Sequence, residues 1–119
     1  MIRCLLALLG SFAIAASASA RGPAFVGIWG VDKKVCTQKG PPDERLKVSL
    51  RKVRGYESAC DISKVEPGKW PGVYYVTSSC AGEGQKWNRR DIYAVRGKGG
   101  NRLVIVDQDG HAVSYVRCR

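Results

Sequence analysis

Clusters of turn-forming residues cut this chain into short pieces. They are Gly40-Pro41-Pro42-Asp43, Pro67-Gly68-Lys69-Trp70-Pro71-Gly72, Ala81-Gly82-Glu83-Gly84, Gly97-Lys98-Gly99-Gly100-Asn101 and Asp107-Gln108-Asp109-Gly110. Each supplies residues that set or tolerate turn dihedrals. The pieces between them are rich in β-branched and aromatic residues: 25–31, 45–51, 59–66, 73–79, 91–96, 102–107 and 112–118. In 45–51, Leu46, Val48 and Leu50 alternate with Arg45, Lys47, Ser49 and Arg51, the period of a half-buried strand. No run carries a 3.6-residue apolar repeat. The pattern predicts an all-β domain, an antiparallel meander of about seven strands curled into a barrel or sandwich that covers its edges. The last pair reads as a hairpin around Asp109-Gly110.

The first 20 residues stand apart. Arg3 precedes an uncharged apolar run from Leu5 to Ala16, and Ala18 and Ala20 occupy the −3 and −1 positions of a cut after Ala20. This is the three-part layout of a secretory signal peptide, and the run is too short to span a bilayer. The expectation is a cleaved signal over residues 1–20 and a single β domain over 21–119, secreted or periplasmic, with no transmembrane segment. The domain carries 19 Lys and Arg (the 20 of the chain less Arg3) against 10 Asp and Glu.

So short a domain buries a modest core, and covalent staples gain weight. Removing Cys4 with the signal leaves Cys36, Cys60, Cys80 and Cys118, an even number in an oxidising compartment. With no Cys-x-x-Cys pair and one histidine, a zinc site is disfavoured, and neither metal nor cofactor is expected. Four cysteines allow three pairings. If 59–66 and 73–79 form a hairpin, Glu66 opposite Tyr74 sets Cys60 opposite Cys80, within bridging range. Cys36 then pairs with Cys118.

Gly27-Ile28-Trp29 followed by Cys36, then Cys60-Asp61-Ile62, Cys80-Ala81-Gly82-Glu83-Gly84 and Tyr115-Val116-Arg117-Cys118, resembles a group of small exported bacterial proteins with two disulfides. That resemblance implies a compartment and a fold, and no chemistry. Gly27 and Trp29 also resemble the opening strand of lipocalin-like periplasmic protease inhibitors, an analogy of fold.

The residues that could carry chemistry favour binding over catalysis. His111 is the one histidine, beside a turn, and no Gly-x-Ser-x-Gly elbow accompanies it. Glu57 or Glu83 with His111 and Arg89 or Arg90 matches a small basic ribonuclease in residue types alone. The Gly-rich stretches lack the phosphate-loop pattern. Trp29 is a core candidate. Trp70, at a loop tip, either serves recognition or plugs one end of the barrel. Trp87 lies among Lys86, Arg89 and Arg90, an aromatic between cations that suits an anionic chain, or else a solvated loop. Arg45, Lys47 and Arg51 would form a cationic stripe, either a guard on an edge strand or a footprint for an acidic partner. The expected function is a non-enzymatic binding domain whose basic face meets an anionic polymer or an acidic protein. An inhibitor of an exported hydrolase, working through a loop such as 67–72, is the alternative, and a secreted nuclease the third.

Overall fold

The computed structural model describes residues 23–37 and 45–118. The expected signal segment lies outside them. The described residues form eight antiparallel strands, β1 (Gly27–Gly30), β2 (Arg45–Val48), β3 (Lys52–Gly55), β4 (Ser58–Pro67), β5 (Val73–Gly82), β6 (Gln85–Arg96), β7 (Arg102–Val106) and β8 (Ala112–Arg117). Each pairs with the next, and β8 returns to β1, so the meander closes into a barrel. The all-β expectation holds. A short helix, α1 (Lys33–Thr37), follows β1, with the Asp32 carboxylate accepting from the Val35 N–H as an N-cap.

The expected strand 45–51 ends at Val48, and a second strand, β3, begins only at Lys52. Ser49 N–H donates to the Lys52 carbonyl at 2.8 Å, and the Lys52 N–H returns a bond to Ser49 Oγ at 3.1 Å. That tight turn carries Leu50 and Arg51 at its tip, so Leu50, expected in the core, is 56% exposed. A local backbone turn bonded through a serine hydroxyl overrode the alternation.

Inward-facing residues fill the closed half of the barrel: Phe25, Trp29, Val48, Val53, Val76, Tyr93, Val95, Leu103 and Ile105 form one cluster. Phe25 meets Tyr74 and Tyr93 edge to face at 5.0 and 5.2 Å. The Trp29 indole N–H donates to the Phe25 carbonyl at 2.9 Å, and the Arg117 guanidinium covers the ring at 4.2 Å. The same guanidinium donates to the carbonyls of Ala24, Val26 and Gly100. Gly27 has a backbone φ of +154°, which L side chains rarely adopt, and a Cβ there would lie 2.7 Å from Arg117 Nη1, so the position favours glycine. Trp29 is therefore core, as expected. Trp70 is no plug: it is 66% exposed on the loop between β4 and β5.

The disulfides are Cys36–Cys118 and Cys60–Cys80. The pairing is the expected one, with a shift in register. Glu66 stands opposite Tyr75, not Tyr74, while Cys60 does stand opposite Cys80. One extra residue, Ser63, bulges out of β4 between Ile62 and Lys64 and absorbs the difference. No helix among the described residues is long and apolar enough to cross a membrane.

Candidate functional site

Two surfaces concentrate polar chemistry: the open mouth of the barrel and the outer wall of β2 to β6.

The mouth is a cup of about 280 Å³ above the apolar core, bordered by Ser78, Arg89, Asp91, Tyr93, Asp107, His111 and Tyr115. Strand parity places Arg89, Asp91 and Tyr93 on the inner face of β6. The Asp91 side chain is only 4% exposed, and a buried carboxylate demands a partner. Arg89 supplies it through Nε and Nη2, at 3.1 and 3.0 Å. This fork holds the guanidinium pKa above its ordinary value. Burial, and next the Asp91 charge, push the Tyr93 phenol well above its usual range, so it stays a neutral donor. Burial also raises Tyr115. At the rim, Asp107 accepts the backbone N–H groups of His111 and Asp109. The bond from His111 is the main cause holding its carboxyl below the ordinary value. His111 Nδ1 lies 3.4 Å from Asp107 Oδ2, with the His111 side chain 79% exposed.

The mouth thus brings His111 and a carboxylate beside Arg89, the juxtaposition that a hydrolytic reading asks for. The carboxylate is Asp107, not Glu57 or Glu83. Both groups are already engaged, however. Asp107 closes its own turn, and Arg89 neutralises Asp91 rather than waiting for a phosphate. Asp107, Asp109 and His111 also lie close enough to share a cation, but exposed acids on one turn do so routinely.

The outer wall is built differently. Cross-strand neighbours run Lys47, Arg54, Ala59, Ala81, Lys86 along one row, and Lys52, Asp61, Ser79, Asn88 along the next. Small side chains in the middle and cations on both flanks make a trough of about 520 Å³. Its walls stand roughly 14 Å apart, three strand spacings of about 4.8 Å. Asp61 reaches Lys52 at 3.9 Å, and Arg90, farther along β6, lies over the Tyr75 ring at 5.5 Å.

The sequence-derived site residues divide accordingly. Lys47, Lys86 and Arg90 share this outer face. Arg51 sits at the tip of the β2–β3 turn, and Arg45 pairs with Gly30 at the start of β2, so the expected three-residue stripe does not form on one strand. Trp87 lies on a strand rather than a loop, on the opposite side of β6 from Lys86 and Arg90, and is 37% exposed. Arg89 belongs to the mouth. Lys52 and Arg54 were missed. The single-strand reading of 45–51 left them outside any element, although their own alternation with Val53 is a strand signal.

Comparison with family models, with curated proteins and with solved structures finds no match to this chain.

Proposed function

We propose that this protein is a binding module that holds an anionic chain in the trough across β3 to β6. The observation that carries the reading is the row Lys47, Arg54, Ala59, Ala81, Lys86, in which two alanines floor a channel between cations on separate strands. Cations scattered for solubility do not require a floor of small residues, whereas a linear polyanion needs both the clearance and charge on each side. The domain's net positive charge draws such a partner from a distance, and salt weakens the attraction. The test is binding to heparin and to a short single-stranded oligonucleotide between 0.05 and 0.3 M salt. Reversing Arg54 and Lys86 to Glu weakens binding and flattens the slope of log affinity against log salt, by about 0.7 for each phosphate of a single strand that is no longer neutralised. Reversing Lys33 and Lys98, outside the trough, is the control of equal charge. Equal weakening in both double variants would show that net charge alone binds, and the trough reading would fail.

The loop between β4 and β5 supports a second reading, as an inhibitor of an exported hydrolase. Gly68 N–H bonds the Val73 carbonyl at 2.7 Å, Val95 N–H bonds the Gly72 carbonyl at 2.8 Å, and Arg96 Nη1 bonds the Pro71 carbonyl at 3.1 Å. A braced loop presenting an exposed Trp70 needs little ordering on insertion into a cleft. Loss of inhibition in Trp70→Ala, across a panel of exported hydrolases, is the result this reading requires.

A further inference from the structure

The backbone of β6 is paired on both sides over only part of its length. β5 accompanies it from Gln85 to Ala94, but β7 joins only from Ile92 onward. The two-residue turn Glu83-Gly84, both residues at positive φ, makes Gly82 and Gln85 the closing hydrogen-bonded pair. Alternation along the ladder then turns the N–H and C=O groups of Gln85, Trp87, Arg89 and Asp91 toward β5. The bond from Val95 N–H to the Gly72 carbonyl, on the β5 side, keeps the same phase. The groups of Lys86, Asn88 and Arg90 therefore point away, along the track where β7 would continue. Among the described residues, no strand pairs with them there. A groove of about 240 Å³ runs between this edge and the Asp107–Asp109 turn.

We propose that β6 accepts an extended acidic peptide segment as an added strand along Lys86, Asn88 and Arg90. An open edge offers three donors and three acceptors at the two-residue spacing that a β-strand matches, which is how strand addition gains affinity. Charge selects the occupant. On the outer face the incoming strand runs beside Lys86 and Arg90, where opposite charges across a pair are favourable. On the inner face it passes Trp87, which offers an apolar contact, and Arg89, which is held by Asp91. A second copy of this chain is disfavoured, because antiparallel pairing of two β6 edges about Asn88 sets Lys86 opposite Arg90 in both directions. Asp107 and Asp109 lie at the foot of the groove, so the acidic residues belong beside 86–90 and not at the end nearest the turn. The inference shares with the trough the anionic character of the partner and the β6 residues Lys86 and Asn88; the mode of binding, backbone pairing along an edge rather than charge across a channel, differs.

The probe is a fluorescent peptide with Glu at alternate positions and β-branched residues between, measured by anisotropy at 0.15 M salt, with heparin measured in parallel. Two versions carry N-methyl groups on one or the other alternate set of backbone nitrogens. The wild-type protein binds the parent peptide. One methylated set binds tenfold or more weakly, and the other binds much as the parent does. Asn88→Pro removes an edge N–H while sparing the β5 ladder, and it lowers peptide affinity by a similar factor and heparin affinity much less, since Asn88 carries no charge in the trough. Equal binding of both methylated sets and the parent, or full peptide affinity in a folded Asn88→Pro variant, would overturn the proposal, as would a protein that binds heparin but not the peptide. Peptide binding without heparin binding would instead remove the trough reading and leave strand addition standing.

Discussion

Arg117 on the last strand lies over Trp29 on the first, its guanidinium carbon 4.2 Å from the ring centroid, and its nitrogens hold the carbonyls of Ala24 and Val26. One side chain therefore seals the closed end, by stacking on the indole and by satisfying backbone acceptors of the entering chain. Arg117→Ala is expected to lower stability by about 2–4 kcal/mol, the sum of a cation–π contact and charged hydrogen bonds. Arg117→Lys keeps the charge without the planar fork and recovers only part of it. Urea unfolding followed by tryptophan fluorescence measures both. Equal stability of the alanine variant and wild type would mean that the lid contributes nothing.

Two leucines separate alternation from burial. Leu103 is fully buried on β7, and Leu50 stands at the tip of the β2–β3 turn. Leu103→Ala should cost about 2–5 kcal/mol. Leu50→Ala should change stability by less than about 0.5 kcal/mol. A large destabilisation at Leu50 in chemical denaturation would restore a single strand over 45–51.

The two bridges should differ in weight. Cys36–Cys118 spans 82 residues, and Cys60–Cys80 spans 20. In the chain-entropy account, replacing the first pair with alanine costs about 1 kcal/mol more than replacing the second. Unfolding midpoints of the two double variants test this, and peptide mapping of the oxidised wild type tests the pairing.

Alkaline pH should loosen the barrel through Tyr93. Its folded pKa is raised, chiefly by burial, so the neutral phenol is the form the fold accommodates. That contribution is complete below the unfolded value of about 10, and it is lost as pH rises through and beyond that value. Tyr93→Phe should flatten the fall in stability between about pH 9.5 and 11. A variant that declines as steeply as wild type would place the alkaline sensitivity on other groups.

Strand class and disulfide pairing were readable from local chemistry. Gly and Pro clusters place turns through their own dihedral preferences, and β-branched residues between them favour extended chain wherever they are packed. Cys60 opposite Cys80 followed from a hairpin, although the bulge at Ser63 shows that the register beyond it could not be counted along the sequence. The Ser49–Lys52 turn also escaped the reading, because apolar alternation continues through the turn and only the hydrogen bonds reveal it. The sites lay further from reach. Arg54 and Lys86 flank one trough only because three strand pairings bring them into a row. Arg89 was grouped with Arg90 by adjacency, yet neighbours on a strand face opposite ways, and closure of the barrel makes one the partner of buried Asp91 while leaving the other in solvent. By itself the sequence determined most of the extended segments, the turns marked by Gly and Pro, and the hairpin that sets Cys60 opposite Cys80, since those depend on residues close along the chain. Tertiary structure alone decided the face each charge occupies, the open edge of β6 and the polar mouth, since those depend on which strands meet and how far each runs past its neighbour.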